Sequence, residues 1–205
     1  VPLGHAIVPA GAQSTPPSGV RIPLGEALPD LAPQAVWQHF HELTQIPRPS
    51  HHEAEVSAFL AAFGDELGLT TEVDEVGNVI IRKPATAGMD DRQGVVLQAH
   101  MDMVGVAAEG SDHIFESDPI EAYVDGGWVR AEGTTLGADN GIGVAMIMAL
   151  LEADDVAHGP LEGLFTVNEE DGFTGANAVP PGVLQGTMLI NVDSEEEGVF
   201  TIGCA

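Results

Sequence analysis

Four segments of this chain end on side chains that bind hard cations or move protons. His100-Met101-Asp102 closes an apolar run, Glu169-Glu170 follows Leu164-Phe165-Thr166-Val167, and Asp193 follows Met188-Leu189-Ile190-Asn191-Val192. Asp139 lies inside Gly133-Thr134-Thr135-Leu136-Gly137-Ala138-Asp139-Asn140-Gly141-Ile142-Gly143. Glycines let a backbone pass close to a neighbour, so this turn would hold Asp139 rigidly at the edge of a cleft. One imidazole with several carboxylates, one of them to spare, is the donor set of a two-zinc hydrolase.

Each segment also has a plainer reading. His100 and Asp102 are two apart, which in extended chain puts both side chains on one side. A metal-bound imidazole needs its other nitrogen held, and Asp102 is the natural acceptor; the same pattern also fits a polar strand terminus. Glu169 and Glu170 would repel each other unless a cation lies nearby. Adjacent side chains diverge, so one could bind metal while the other serves as general base. The alternative is a solvated acidic turn running into Asp171-Gly172. In Asp193-Ser194-Glu195-Glu196-Glu197 only Asp193 touches the strand, so it reads as a ligand and the three glutamates as surface. His51 and His52 read as a solvated helix start rather than a metal site.

The elements that must position these groups follow from apolar spacing. Val36, Phe40 and Leu43 share a helical face that ends before Ile46-Pro47-Arg48-Pro49. Ser50 and Glu53 form a capping box for a second helix, with Val56, Phe59, Leu60, Phe63 and Leu67 on one face and Gly68 as its stop. Strands are expected at Thr70–Asp74, Val79–Arg82 and Val95–Ala99, with a short edge strand at Trp128–Ala131. A buried helix follows the Asp139 turn to about Ala153, and Leu164–Val167 and Met188–Val192 are the remaining central strands. Alternating helices and buried strands imply an α/β fold, a mixed, mostly parallel sheet between helices. In such sheets ligands gather at the carboxyl ends of the strands, where His100, Glu169, Glu170 and Asp193 fall. Residues 1–30, rich in Pro, Gly and Ala without period, read as a flexible leader, and order is expected from about Leu31.

Composition excludes several functions. The 205 residues carry 32 Asp+Glu against 6 Lys+Arg, a formal charge of -26. Phosphate neutralisation on nucleic acid and attraction to an anionic membrane are therefore not expected. Cys204 is the single cysteine, so no intrachain disulfide forms, and it reads as an incidental thiol. The apolar stretch Ile142–Leu151 is too short to span a bilayer. Ala10-Gly11-Ala12 has no basic region before it, and a cytoplasmic location is expected. No G-x-S-x-G elbow, phosphate loop or H-E-x-x-H helix is present.

Together, His100-Met101-Asp102-Met103-Val104, Gly133 to Gly143, Glu169-Glu170-Asp171-Gly172-Phe173-Thr174-Gly175-Ala176 and Asn191 to Gly198 resemble a dizinc peptidase of the aminoacylase/carboxypeptidase clan. Within it the chain is most similar to the aminoacyl-histidine dipeptidases, the bacterial carnosinase-like branch. The stretches Ile81 to Met89, Gly133 to Gly141 and Ile202-Gly203-Cys204-Ala205 carry that closer likeness, which covers Leu31 to Ala205. The resemblance implies two Zn2+ ions, with Mn2+ or Co2+ as substitutes. Asp139 would bridge them, His100 and Asp193 would bind one and Glu170 the other, Glu169 would be the general base, and Asp102 would orient His100. It also implies a small dipeptide substrate, a non-proline cis bond at Asp139-Asn140, and homodimerisation through a second domain. In that family a late His completes the second zinc, and residues 31–205 match only the N-terminal part of the catalytic domain. The other readings are a truncated, non-catalytic metal-binding remnant and a related dizinc deacylase or aminopeptidase.

Overall fold

β-Branched and aliphatic runs separated by Gly, Asn and Asp turns build the framework. The structure, a computed structural model, describes residues 6–7, 19–194, 199 and 201–203. In chain order the strands and helices are β1 (Ala6–Ile7), β2 (Arg21–Pro23), α1 (Leu24–Ala27), α2 (Gln34–Thr44), α3 (Ala54–Glu66), β3 (Thr70–Val73), β4 (Val79–Lys83), β5 (Val95–His100), β6 (Ala122–Asp125), β7 (Trp128–Ala131), α4 (Ala138–Glu152), β8 (Leu161–Thr166), α5 (Thr174–Ala178) and β9 (Met188–Asn191). They form two sheets, an antiparallel one ordered β1-β7-β6-β2 and a mixed one ordered β3-β4-β8-β5-β9.

The larger sheet carries the chemistry. Its β3–β4 and β4–β8 pairings are antiparallel, whereas β8–β5 and β5–β9 are parallel. Alternation along the strands gives the sheet two faces. Val79, Ile81, Leu97, Ala99 and Phe165 pack with Phe40, Leu60, Val144, Ile147 and Met148 in one core. Ile80, Val96 and Leu164 point the other way, onto Val179, Val183 and Leu184. The long helices α2, α3 and α4 thus cover one face. The connection from β8 to β9 holds the five-residue α5 and an irregular segment, whose Val179, Val183 and Leu184 pack on the second face.

Several local expectations change. Order begins before Leu31: β2 pairs with β6, and Leu24, Ala27 and Leu28 are buried, because the short helical segment that follows β2 lays its apolar residues into the main core beside β6. The rest of the expected leader, residues 1–5 and 8–18, lies outside the described residues, as do Glu195, Glu196, Glu197 and Cys204. Trp128–Ala131 is not an edge strand, since β7 pairs with both β1 and β6. Met188–Asn191 is not central: β9 has a neighbour only in β5 among the described residues, and Leu189 is 52% exposed. The buried helix after Asp139 keeps an open side, where Met146 and Leu150 face solvent. The capping box does not form either. Ser50 donates to Asp102 instead, Glu53 is the N-cap residue without a side-chain cap, and His51 and His52 precede α3.

Candidate metal centre

β8, β5 and β9 are adjacent and parallel, so their carboxyl ends share one edge of the sheet. Neighbouring strands lie about 4.8 Å apart, which brings side chains from all three ends within reach of one another. His100 is the last residue of β5, Glu169 and Glu170 follow β8, and Asp193 follows β9. Asp139 arrives from the other side, at the start of α4. Its peptide bond to Asn140 is cis, as the resemblance implied, and regular helix begins after Asn140.

His100 is the hub. Its Nδ1 lies 3.2 Å from Asp102 Oδ1 and 3.1 Å from the Asp102 carbonyl oxygen. The Nε2 faces Asp139 Oδ1 at 3.0 Å, Asp193 Oδ2 at 3.8 Å and Glu169 Oε2 at 3.9 Å. Donor atoms of His100, Asp139 and Asp193 lie within 4.8 Å of one another, and so do those of His100, Glu169 and Glu170. The structure therefore gathers around His100 the other three expected ligands, Asp139, Glu170 and Asp193, and the expected base Glu169, with Asp102 beneath them. Both glutamates reach the ring, so position alone does not divide their roles.

Asp102 is buried and accepts from four sides. Oδ1 takes the Glu169 N–H at 3.0 Å as well as the ring, and Oδ2 takes the Ser50 hydroxyl at 2.8 Å and the Glu170 N–H at 3.3 Å. Burial disfavours its charge, but these hydrogen bonds prevail and hold the carboxyl at about 2. Burial likewise works against the His100 cation. Hydrogen bonds to Asp102 and Asp139 and the surrounding negative charge overcome it, raising the ring to about 10 without a metal. With Nδ1–H committed to Asp102, it is Nε2 that is left to bind a cation.

The carboxylates around Nε2 are short of positive charge. Burial first, and then repulsion from Asp139, outweigh the pull of His100 and push Asp193 up to about 6. Glu170 is raised by burial and by Asp139, while the hydrogen bond from His100 lowers Asp139. A site where one imidazole faces four carboxylates, with Asp193 and Glu170 raised by burial and by their acidic neighbours, fits divalent cations, which relieve that repulsion.

Three further groups hold the centre: Arg48 and Asn168 carry no signal in the sequence, and Glu53 reads there as part of a helix cap. Arg48, fully buried, donates to the carbonyls of Met101, Asp102 and Gly137. Burial lowers it to about 10 while Asp102 and Asp139 favour its charge. Glu53, buried, accepts the N–H of His51 at 3.0 Å and of Asn168 at 2.9 Å, fixing the residue before Glu169. Asn168 adopts a left-handed φ of 50°, which Asn tolerates, and its amide donates to Asp171 O and Thr174 Oγ1. Arg48 lies in a Pro-rich turn and Asn168 in the turn after β8, and neither turn has a period to mark it. His51 stays outside the centre, exposed and 2.9 Å from Asp171.

An α/β domain that gathers one imidazole and four carboxylates at the carboxyl edge of its sheet has the layout of a metallohydrolase. Residues 96–202 match the model of peptidase family M20/M25/M40, and the chain belongs to that family. It is 51% identical over 178 residues to the cytosol non-specific dipeptidase of Escherichia coli, covering 87% of this chain and 37% of that protein. The crystal structure of aminoacylhistidine dipeptidase from Vibrio alginolyticus superposes with a TM-score of 0.81 at 48% identity, over 83% of this chain and 35% of that one. Aminopeptidase PepT from Bacillus cereus superposes with a TM-score of 0.67 at 27% identity, over 80% and 44%. The chain thus spans about a third of the length of the two more similar relatives.

Proposed function

We propose that this chain forms part of a dizinc dipeptidase that hydrolyses short unblocked dipeptides, including those ending in histidine. One observation carries the reading: His100 turns Nε2 toward Asp139, Asp193 and Glu169 while Asp102 holds Nδ1. The identity to the cytosol non-specific dipeptidase and the likeness to the aminoacylhistidine dipeptidase support the substrate class and a cytoplasmic location. No helix among the described residues is long and apolar enough to cross a membrane.

His100, Asp139 and Asp193 would hold one Zn2+, and Asp139 and Glu170 the other, with Mn2+ or Co2+ able to substitute. When bound, the pair supplies Lewis-acid polarisation of the scissile carbonyl and positive charge for the developing oxyanion. Asp102 keeps the His100 proton on Nδ1, so that Nε2 presents its lone pair. Glu169 takes a proton from the attacking water and delivers it to the leaving amine. Its backbone N–H is tied to Asp102 Oδ1, so the same carboxylate that orients the ligand ring also places the base. Residues 31–205 would form the N-terminal part of the catalytic domain, and homodimerisation would use a second domain.

The test is hydrolysis by the zinc-loaded full-length protein of an alanyl-histidine dipeptide, β-alanyl-histidine and an N-acetyl amino acid. Release of free histidine from the dipeptides supports the reading. Preference for the N-acetyl compound would make it a deacylase, and zinc binding without hydrolysis of any of the three would make it a non-catalytic metal-binding protein.

A further inference from the structure

The turn Arg48–Glu53 hydrogen-bonds to three of the segments that feed the centre, those of His100, Asp139 and Glu169, and Arg48 makes the most demanding of these contacts. It is 2% exposed and, unlike most buried cations, makes no ion pair with a carboxylate among the described residues. One terminal nitrogen donates to Met101 O at 3.0 Å and Asp102 O at 3.2 Å; the other donates to Gly137 O at 2.6 Å. The first two carbonyls belong to the segment that carries His100, and the third to the turn that carries Asp139. The Arg48 carbonyl in turn accepts the Met103 N–H at 3.1 Å, so backbone and side chain grip the same loop.

The glycines of the Asp139 turn give independent support. A Cβ at Gly137 would stand 2.6 Å from Arg48 Nη2 and 2.7 Å from Met103 Sδ, and one at Gly141 would stand 2.5 Å from the same Nη2. Gly137 also has a φ of 70°, but the φ of Gly141 is not positive; a side chain there would meet Arg48 Nη2 first and Phe40 Cε2 at 3.3 Å, so close approach favours glycine. The sequence leaves a slot in the turn, and the Arg48 guanidinium fills it. A planar guanidinium offers several donors in fixed directions, which lets one side chain span two loops; a lysine offers a single centre.

We propose that Arg48 is the positioning residue of the metal centre: seated against Gly137 and Gly141, it sets the separation between the His100 and Asp139 loops. The inference rests on the dizinc reading above. The Arg48 guanidinium donates only to backbone carbonyls among the described residues, and it acts through the carbonyls of the segments that carry the ligands.

The test measures zinc affinity by competition with a chromogenic chelator, and the visible absorption of Co2+ as a report on ligand geometry, in the full chain. Circular dichroism monitors the fold. Arg48→Met should stay folded, bind zinc roughly 10–100-fold more weakly, as expected when a group supporting a ligand is removed, and give an altered Co2+ spectrum. Arg48→Lys should recover part of the loss. Gly141→Ala, which keeps the arginine but displaces it, should reproduce the defect and add little to it in the Arg48→Met background. Folded Arg48→Met with wild-type zinc affinity and Co2+ spectrum would overturn the proposal. If Arg48→Met does not fold, Gly141→Ala decides: a folded protein with wild-type metal binding overturns it, and a folded protein with weakened binding supports it. A wild-type chain that binds no zinc would instead remove the dizinc reading itself.

Discussion

Replacing Asp102 by Asn separates the charge beneath His100 from its shape. The carboxylate accepts four hydrogen bonds, two on each oxygen. An amide nitrogen in the Oδ1 position would face both the His100 Nδ1–H and the Glu169 N–H, donor against donor. In the Oδ2 position it meets the Ser50 hydroxyl, which can rotate to accept, and only the Glu170 N–H loses its partner. The substituted amide should therefore adopt the second arrangement, leaving one backbone donor unsatisfied at a cost of about 1–3 kcal/mol. The carboxyl group gives an independent figure: held at about 2 rather than its usual 3.8, it contributes about 2 kcal/mol at neutral pH. The two routes agree. The sign over pH follows from the directions of the shifts. A lowered carboxyl contributes fully above pH 3.8 and loses its contribution as pH falls through about 2. The raised His100 contributes fully below pH 6.5 and loses its contribution as pH rises through about 10. Urea unfolding of the metal-free chain from acid to alkaline pH should show the variant less stable by about 2 kcal/mol at pH 7, with both flanks flattened. Zinc affinity should also fall, by roughly 10–100-fold. A variant with wild-type stability at pH 7 and an unchanged pH profile would refute the view that Asp102 carries a charge held by these four donors.

Other expectations follow from the same geometry. Glu169→Gln in the full-length protein should leave zinc content near normal while lowering turnover by roughly 10²–10⁴; loss of zinc in that variant would exchange the roles of Glu169 and Glu170. Because His100 is raised to about 10 without metal, zinc must displace its proton, so affinity should increase with pH through the neutral range. Below about 6, where Asp193 is also protonated, the dependence should steepen. Calorimetry in buffers of different ionisation enthalpy reads the protons released, and metal uptake without any release would contradict the protonated ring. Phe40, fully buried between Trp37 and the start of α4, should cost about 3–5 kcal/mol when cut to Ala, measured by denaturant unfolding. A loss below about 1 kcal/mol would mean that the α2–α4 contact is not part of the core.

Residue order made much of this protein legible before folding was considered. The apolar runs of β4, β5 and β8 and the 3.6-residue spacing of α2 and α3 are local periodicities, and local pattern is what sequence reports. His100, Glu169, Glu170 and Asp193 could be placed at strand ends because a ligand at the end of an apolar run is adjacent in sequence to the element that carries it. The roles proposed for Asp139 and Glu169 rest on family likeness rather than spacing. Other features depended on contacts distant in the chain. Ser50 is placed in the sequence where a cap is expected, yet α3 starts only after Glu53 and the Ser50 hydroxyl finds the charged Asp102 across 52 residues. β7 becomes interior only because β1 pairs with it, and β9 lies at an edge because no described strand pairs with its far side. Arg48 stood in a Pro-rich turn with no periodicity to mark it. The glycines that leave room for it were visible from the start, but what occupied that room was a side chain 89 residues from Gly137, and only the folded chain brings the two together.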